Sequence, residues 1–336
     1  MKIESLTEEK AAAWDAFVRA DPKGTFFHLS AWKRVAEQAF GFKTYYLFAE
    51  EAGEICGVLP LACVRRPLFG KALISTPLCV YGGAVGRCDE LEEAARKKAE
   101  ALDVAYLEIR SQEKIATDWP TSDIFFAFRR ALSSDHDENL KAIPRKQRAE
   151  VRRGMDAGLR VTHDRNLDLF YRIYATSVRN LGTPVYPRNY LKVLMETFGD
   201  ACEITTVTDD GRPLSSVLTF YYKDQALPYY GGGLPEARAH SAYPFMYWQV
   251  MKRAAEKGYR IFDYGRSMKG TGAFAFKKNF GFEPQPLAYR YHLVKADRMP
   301  DLSPNNPRNE MLCRIWKRFP LPLANNLGPV LYPVVV

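Results

Sequence analysis

The sequence lacks the features of a membrane-spanning protein, of a secreted protein and of a metal-binding protein. No apolar run approaches the about 20 residues that a membrane-spanning helix needs. The N-terminus is polar and acidic, without the cationic start and apolar core of a secretory signal. Its 6 cysteines form no Cys-x-x-Cys pair, and its 5 histidines are scattered. We therefore expect a cytoplasmic protein with reduced cysteines, no disulfides and no bound metal.

The sequence contains one ordered set of motifs twice. Its 336 residues exceed the about 100 to 200 residues of one domain, so two domains are expected. A hairpin with a glycine turn, a Tyr-Gly-Gly step and an Arg-Ser pair recur in the same order, at Gly53 and Gly211, Tyr81 and Tyr230, and Arg110 and Arg266. A longer loop from Arg65 to Lys71 distinguishes the first copy. The repetition indicates a duplicated fold, with domains at 1–135 and 136–297 and a Pro-rich tail at 298–336.

Hydrophobic periodicity predicts helices and strands in both copies. In the first copy it predicts helices at 7–19 and 30–40 and strands at 43–50, 54–64, 72–80 and 104–110. In the second copy it predicts helices at 166–181 and 188–198, strands at 202–208, 213–223 and 226–231, a helix from Pro244 that stops at Gly258, and a strand at 259–264.

A net charge of +9 favours an anionic partner, and one helix concentrates that charge. Lys141, Arg145, Arg148 and Arg152 are spaced four, three and four residues apart, so they share one face of a helix entered at Pro144. This cationic stripe suits a phosphate, a nucleic acid or an anionic lipid. A solvated helix surface is the alternative.

A glycine-rich element follows the last strand of the second copy. Gly270 and Gly272 open a short helix that carries Lys277 and Lys278. Main-chain N–H groups at such a turn suit a pyrophosphate or a developing oxyanion, and two ammonium groups lie beside it. The lysines either act on a bound donor or close a structural helix. Asp263, at the strand end, is either a general base or an acid that orients the turn.

At these residues the chain resembles the tandem GNAT-like acyltransferases of the Fem family, the aminoacyl-tRNA-dependent peptidyltransferases that extend peptidoglycan cross-bridges. The matching segments are FFHLSAW from Phe26, RKQRAEVRR from Arg145, YYGGG from Tyr229 and FKKNFG from Phe276. The spellings CVYGG, YLEIRS and GRSMKGTGAFAFKKNFGFEPQP are similar to a FemAB-like branch associated with exosortase (PEP-CTERM) exopolysaccharide gene clusters.

The resemblance implies an α/β (α+β) fold of two tandem GNAT-like domains, each a mixed, mostly antiparallel sheet flanked by helices. It also implies acyl transfer to an amine or hydroxyl without a covalent enzyme intermediate. The donor would be aminoacyl-tRNA or acyl-CoA, the acceptor an envelope or exopolysaccharide precursor, and no other cofactor would be required. No DNA partner is implied. Lys277 or Lys278 would stabilise the tetrahedral intermediate, and His28 joins Asp263 as a candidate base.

The predicted binding residues fall into two sets. For the donor they are Arg266, Gly270, Thr271, Gly272, Phe276 and Asn279. For the acceptor they are Trp32, Lys33, Arg34, Tyr81, Arg110, Tyr229 and Tyr230. Arg266 stands four residues before Gly270, whereas the acyl-CoA loop of GNAT enzymes has a spacing of three, and this departure counts against coenzyme A.

The tail contains one segment with interfacial chemistry. Leu312, Ile315 and Trp316 fall on one side of it, and Arg314 and Lys317 lie toward the other. The segment either packs against the body or makes a peripheral contact with the inner membrane.

Three classes of function remain at this point: a transferase, a catalytically silent GNAT-like binding module and a nucleic-acid binder. The intact lysine pair beside the glycine turn favours the transferase. The nucleic-acid binder is disfavoured because the aromatic residues lie in strand patterns and form no evident stacking platform.

Overall fold

The computed structural model describes residues 1–66, 70–113, 115, 117–301 and 307–335. Contacts divide the chain into two compact units. The first unit comprises Met1–Phe125, Pro286–Leu302 and Leu331–Val336, and the second comprises Phe126–Gln285 and Ser303–Val330. The sequence-based boundaries are 135/136 and 297/298, whereas the units divide at 125/126 and the chain enters the first unit again at Pro286.

The elements follow one another in a regular order. Up to residue 122 they are β1 (Lys2–Ser5), α1 (Ala11–Ala20), a 3-10 turn (Phe26–His28), α2 (Ala31–Phe40), β2 (Lys43–Glu51), β3 (Glu54–Arg66), β4 (Gly70–Ser75), β5 (Val85–Gly86), α3 (Cys88–Ala101), β6 (Tyr106–Ser111) and β7 (Thr121–Ser122). The elements after residue 122 and before the tail are β8 (Phe125–Ala131), α4 (His136–Lys141), α5 (Arg145–Asp156), β9 (Arg160–Asp164), α6 (Leu167–Leu181), α7 (Arg188–Phe198), a 3-10 turn (Gly199–Ala201), β10 (Cys202–Asp209), β11 (Arg212–Tyr222), β12 (Gln225–Gly233), a 3-10 turn (Pro235–Arg238), α8 (Ala242–Glu256), β13 (Ile261–Met268), α9 (Gly272–Asn279), β14 (Pro284–Pro286) and β15 (Ala288–Leu293). The tail adds α10 (Pro307–Trp316) and α11 (Leu321–Val335).

The two sheets repeat the same arrangement. The first has the order β1-β2-β3-β4-β6-β15-β7, and the second has the order β9-β10-β11-β12-β13-β8-β14. In each sheet an antiparallel hairpin, β2–β3 or β10–β11, turns at a glycine with positive φ, Gly53 (φ 86°) or Gly211 (φ 76°). Each sheet also contains a parallel pair, β4 with β6 and β12 with β13. The fold is therefore duplicated, as the repeated motifs predict.

The two copies exchange their final strands. β8 follows the first copy in sequence, yet it lies next to β13 in the second sheet. β15 follows the second copy, yet it pairs with β6 in the first sheet, with Tyr289 opposite Arg110. Strand propensity identifies such segments but does not specify their partners, so the exchange has no local signal in the sequence.

Most predicted elements are present, and their differences have local causes. The strand predicted at 72–80 ends at Ser75, because Thr76 adopts a positive φ of 43° and a proline follows. The helix predicted from residue 7 begins at Ala11, and residues 2–5 form a strand instead. The helix from Pro244 begins slightly earlier and stops as predicted before Gly258, where φ is 86°. The centre of the loop predicted at Arg65 to Lys71 lies outside the described residues.

Amphipathic helices pack against both sheets, and α3 and α8 are examples. α3 buries Leu91, Ala95 and Ala99, which recur every four residues and join the core formed by β2, β3, β4 and β6. α8 buries Phe245, Met246 and further residues along its length in the second core. None of the described helices is long and apolar enough to cross a membrane.

Candidate functional site

The second sheet opens at its parallel pair. In the first sheet β4 and β6 pair through Ile74↔Glu108. In the described part of the second sheet, the last pair between β12 and β13 is Ala226↔Phe262. When the copies are aligned on their Arg-Ser motifs, Glu108 corresponds to Tyr264. The pairing in the second sheet therefore ends two residues earlier than the pairing in the first. The carboxyl-terminal parts of β12 and β13 are therefore not paired with each other, and we call this unpaired end of the two strands the opening.

The residues at this opening differ between the copies. β6 reads YLEIRS over 106–111, whereas the corresponding part of β13 reads FDYGRS over 262–267. Asp263 thus replaces Leu107, and Gly265 replaces Ile109. Gly265 has a φ of 65°, a conformation that isoleucine avoids. The second copy has exchanged two core side chains for a carboxylate and a strand bend.

Asp263 fixes that bend. Its carboxylate is buried, and Oδ1 accepts a 2.7 Å hydrogen bond from the main-chain N–H of Gly265. Oδ2 lies 3.2 Å from Nε of Arg129 on the exchanged strand β8. These contacts match the orienting role that the sequence analysis left open beside the role of a base.

Lys277 reaches the same bend from α9. Its Nζ donates to the carbonyl oxygens of Tyr264 and Arg266, at 2.7 and 3.0 Å, and lies 3.5 Å from that of Gly265. The rings of Phe128 and Tyr264 lie 5.5 and 5.8 Å from the amino group. The lysine therefore occupies a polar niche with aromatic walls at the strand opening.

Burial lowers the pKa of Lys277 to about 7. The charge of Asp263 opposes this shift, and the charge of Arg266 adds to it. At neutral pH the group is therefore divided between ammonium and amine. Two hydrogens make the short bonds, and the third makes only the long 3.5 Å contact with Gly265 O, from which it can turn toward a ligand oxygen.

Aromatic packing and a cap hold α9 in place. Phe274 meets Phe126 and Phe128 edge to face at centroid distances of 5.5 and 5.2 Å, and Phe276 meets Tyr243 at 5.2 Å. Thr271 accepts from the N–H of Phe274 and donates to Met268 O at 2.7 Å. Two residues of the predicted donor set, Thr271 and Phe276, therefore position the helix that carries Lys277.

The other members of that set line the outside of the turn. A Cβ added at Gly270 (φ 85°) or Gly272 would meet no heavy atom within 4 Å. Arg266 is half-buried, and its carbonyl oxygen binds Lys277. Lys278 and Asn279 are exposed at the end of α9.

A glycine turn at the end of α9 lies against the start of α5, the helix that carries the cationic stripe. Gly281 has a φ of 89°, and a Cβ there would lie 2.9 Å from both Ala142 O and Pro144 Cδ. The end of α9 therefore abuts the start of α5. On its other side, α5 packs on α8 where Gly154 meets Phe245, and Glu150 accepts a 2.6 Å bond from Ser241 at the N-terminus of α8.

The stripe predicted from the sequence lines an open groove of about 630 Å³, here called the cationic groove. Its lining residues are Lys141, Arg145, Arg148, Ala149, Arg152, Arg153 and Asp156. Arg153 pairs with Glu150 at 3.1 Å, and Asp156 adds one carboxylate. Lys141, Arg145, Arg148 and Arg152 form no ion pair with any carboxylate of the described chain, so cations outnumber carboxylates in this groove.

His28 lies in the first unit and is committed to its fold. Its buried Nδ1 accepts from the N–H of Thr25 at 3.1 Å, and Nε2 lies 2.8 Å from the carbonyl oxygen of Gly83. A carbonyl can only accept, so Nε2 carries the proton and the ring is neutral. Both nitrogens are engaged, and the contacts give no support to a general-base role.

The buried members of the acceptor set also hold the first unit together. Arg110 fills the strand end that corresponds to the opening of the second sheet, where it donates to Pro77 O and Cys79 O at 2.7 and 2.9 Å and pairs with Glu108 at 2.7 Å. Trp32 donates to the carbonyl of Phe26, and Tyr81 packs edge to face on Phe27, 5.1 Å between centroids.

The surface members of the set lie on α2. Lys33 pairs with Glu37 at 2.7 Å, and Arg34 is exposed.

Tyr229 and Tyr230 lie on β12, beside the opening. A register shift between Leu218 and Thr219 marks a bulge at this point of the β11–β12 pairing. Tyr230 is buried and its hydroxyl lies 2.6 Å from that of Tyr190, while Tyr229 is half-buried.

The first two of the three glycines that follow Tyr230 serve close packing. A Cβ on Gly232 would lie 2.7 Å from Ser177 Cβ of α6, and one on Gly231 would lie 2.8 Å from the Tyr247 hydroxyl of α8.

The structure therefore gathers Asp263, Arg266, the glycine turn and Lys277 at one strand end, with Tyr229 and Tyr230 on the neighbouring strand. The predicted residues His28, Trp32, Lys33, Arg34, Tyr81 and Arg110 belong to the other unit. Sequence reasoning missed Phe128 and Arg129, which enter the site on β8. The alternating pattern FFAFRRA over 125–131 was the available signal for that strand.

Comparison with known proteins agrees with this topology. Residues 144–278 match the family model described as acetyltransferase (GNAT) domain. The crystal structure of FemX superposes with a TM-score of 0.68 at 16% identity, over 88% of this chain and 98% of that one. The chain has a tandem GNAT fold.

Two further structures match at comparable coverage. A tandem GNAT protein from the clavulanic acid biosynthesis pathway has a TM-score of 0.55 at 14% identity, over 88% of this chain and 99% of that one. L-PGS from Bacillus licheniformis has a TM-score of 0.56 at 13% identity, over 94% and 99%. No curated protein matches the chain by sequence. The likeness establishes the fold class predicted from the sequence, and at these identities it extends to the fold alone.

Proposed function

We propose that this tandem GNAT protein is an acyl or aminoacyl transferase that forms an amide or ester on a cell-envelope or exopolysaccharide precursor. The observation that carries the proposal is the placement of Lys277 Nζ at the opening of β12 and β13, beside Asp263 and behind a glycine turn that faces open space. The resemblance to the FemAB-like branch supplies the class of acceptor.

The chemistry needs no covalent enzyme intermediate. The acceptor nitrogen or oxygen bonds to the acyl carbon of the donor, and the carbonyl oxygen becomes an oxyanion. The carbon–oxygen bond to tRNA, or the carbon–sulfur bond to coenzyme A, then breaks, and the acceptor proton passes to the leaving oxygen or sulfur. The third hydrogen of the Lys277 ammonium would stabilise the oxyanion.

The contrast between the copies supports a donor site in the second unit. The corresponding strand end of the first unit is filled by Arg110, which is 1% exposed and bonded to main-chain carbonyls. The first unit would then contribute to acceptor binding through its surface residues, such as Lys33 and Arg34.

The cationic groove supports a donor that carries several phosphates. Its helix begins beside the end of α9, so an anion held by Arg145 and its neighbours lies next to the element that carries Lys277. Both proposed donors meet this requirement. The four-residue spacing of Arg266 and Gly270 favours aminoacyl-tRNA over acyl-CoA.

The test offers each donor separately. Purified protein is incubated with acetyl-CoA or with alanyl-tRNA labelled in the alanyl group, and native mass spectrometry records binding. Lipid-linked and nucleotide-linked sugar precursors are then added as acceptors. Transfer of label by the wild type, and its loss in Lys277→Met, is the expected result. Binding of no donor, or transfer that is equal in both proteins, contradicts the proposal.

A second candidate is a catalytically silent binding module. It is favoured by the hydrogen bonds of Lys277, because two main-chain carbonyls satisfy it as they would satisfy a structural lysine. The same experiment separates the two candidates, since a silent module retains donor or acceptor in the mass spectrum but transfers no label to any acceptor.

A further inference from the structure

The two tail helices are fixed to the second unit by small residues. A Cβ at Gly182, which ends α6, would lie 2.8 Å from the carbonyl oxygen of Cys313 on α10. A Cβ at Gly328 on α11 would lie 3.0 Å from the main-chain N of Val185. Ala324 is also buried, at 1% exposure. Both helices therefore lie close against the segment that follows α6.

Their outward faces are apolar, and together they form what we call the tail face. Its members are Met311 (56% exposed), Leu312 (58%), Ile315 (49%), Leu323 (50%), Leu327 (41%) and Val330 (71%). On α11, alanine and glycine point inward at 324 and 328 while the large side chains point outward. This reverses the usual amphipathic pattern of a helix on a water-soluble protein.

Trp316 belongs to the inward side. The sequence pattern grouped it with Leu312 and Ile315, but it is only 7% exposed and stacks on Phe319 at 5.4 Å between centroids. Packing against the body and an exposed apolar face are therefore both present in the tail, on opposite sides of the same helices.

Cations outnumber carboxylates around the tail face. No Asp or Glu occurs from residue 311 to the end of the sequence, whereas Arg314, Lys317 and Arg318 are all exposed. Arg314 pairs with Glu310 at 2.6 Å. Apolar side chains bordered by exposed cations match the boundary between the headgroups and acyl chains of an anionic bilayer.

We propose that the tail face docks the protein peripherally on an anionic phospholipid surface. A second copy of the chain is the competing occupant of this face. A twofold contact would bring the cations of both copies together with Glu310 as the one carboxylate on α10 or α11, and Glu310 already pairs with Arg314, whereas anionic headgroups neutralise Lys317 and Arg318. The proposal does not depend on the transfer reaction, so the two can fail separately.

The test measures binding of the full chain to vesicles. Phosphatidylglycerol-containing vesicles should retain the wild type in flotation at low salt, and pure phosphatidylcholine vesicles should retain it about 10-fold less. The variant Leu312→Gln/Ile315→Gln/Leu323→Gln/Leu327→Gln should lose about 10-fold or more of that binding. Lys317→Gln/Arg318→Gln should weaken it and reduce its salt dependence.

Matched variants separate docking from folding. Asn326→Gln changes a polar residue on the exposed side of α11, and Ile115→Gln removes an exposed apolar residue of the first unit; both should bind vesicles as the wild type does. Thermal unfolding should be similar in all variants, because the changed side chains are exposed. Absence of vesicle binding by the wild type overturns the proposal. If light scattering then detects a dimer that the fourfold Gln variant abolishes, the tail face is an interface between copies.

Discussion

Lys277 is held to the main-chain carbonyl of Tyr264 by a 2.7 Å hydrogen bond. This bond joins α9 to the bend in β13 and keeps a titratable amine at the strand opening. It is available because Gly265, with its positive φ, turns successive carbonyls toward one point. The same contacts can orient a catalytic group or close a fold, and kinetic and stability measurements on Lys277 distinguish these roles.

Replacing Lys277 should lower turnover much more than it lowers donor affinity. We expect Lys277→Met to lower turnover about 100-fold or more while donor affinity changes little, because the oxyanion contact forms fully only in the transition state. Lys278→Met is the matched control: this neighbour is exposed, and we expect less than about 3-fold loss. Single-turnover transfer of label from the donor measures both. Equal, small effects in the two variants would remove Lys277 from the chemistry.

The lowered pKa of Lys277 should make stability depend on pH. In the folded protein the pKa is about 7, against 10.5 for an ordinary lysine. Between these values the unfolded chain binds more protons, so the free energy of unfolding rises with pH and falls again as pH drops toward 7. Asp263 opposes the shift and Arg266 adds to it, so both are left unchanged in the variants compared.

Urea unfolding between about pH 7 and pH 9 measures this effect. We expect the wild type to gain about 1 kcal/mol or more relative to Lys277→Met over that range. The two proteins differ at residue 277 alone, so the comparison isolates Lys277. Parallel curves for the two proteins would mean that the lysine keeps its ordinary pKa.

The sequence could not predict which groups the individual side chains of the site contact. The pattern around Gly270 and Lys277 was sufficient to locate the strand, the turn and the short helix, because each has a local signal. The carbonyl niche was not predictable, since it depends on a strand bend. Arg110 illustrates the same limit: its motif suggested a ligand contact, and its bonds to buried carbonyls and Glu108 have no local signal in the sequence.

Three glycines near the site should respond differently to alanine. Gly281→Ala combines a positive φ with contacts of 2.9 Å to Ala142 O and Pro144 Cδ, so we expect a loss of about 2 kcal/mol or more. Gly270→Ala has the strained φ but open space, and should lose about 1 kcal/mol. Gly272→Ala has neither and should stay within about 0.5 kcal/mol. Chemical denaturation gives the order, and a Gly281 variant as stable as the Gly272 variant would refute the packing of α9 on α5.

Reversing the charge of the cationic groove should weaken binding of an anionic donor. Arg145→Glu/Arg148→Glu/Arg152→Glu should remove most of the salt dependence of tRNA retention, because each phosphate contact contributes through counterion release. Lys192→Glu/Arg212→Glu/Lys252→Glu changes the net charge equally, but these side chains are exposed and each pairs with a carboxylate. Filter binding at several salt concentrations compares the two. Equal losses would indicate a net-charge effect, and no loss in either would leave the stripe as a solvated surface.

The exchanged strand β15 should stabilise the first unit although it follows the second in sequence. Arg290 on β15 is 3% exposed, and its Nη1 lies 2.8 Å from Glu92 of α3. Removing one partner leaves a buried charge uncompensated, so Arg290→Met should cost about 3 kcal/mol or more. Lys295→Met, which breaks the exposed pair with Asp103, should cost less than about 1 kcal/mol. Hydrogen exchange should locate the loss of protection in Arg290→Met within β2, β3, β4 and β6, because β15 completes their sheet. Loss confined to β10 through β13 would contradict the exchange and return β15 to the copy that precedes it in sequence.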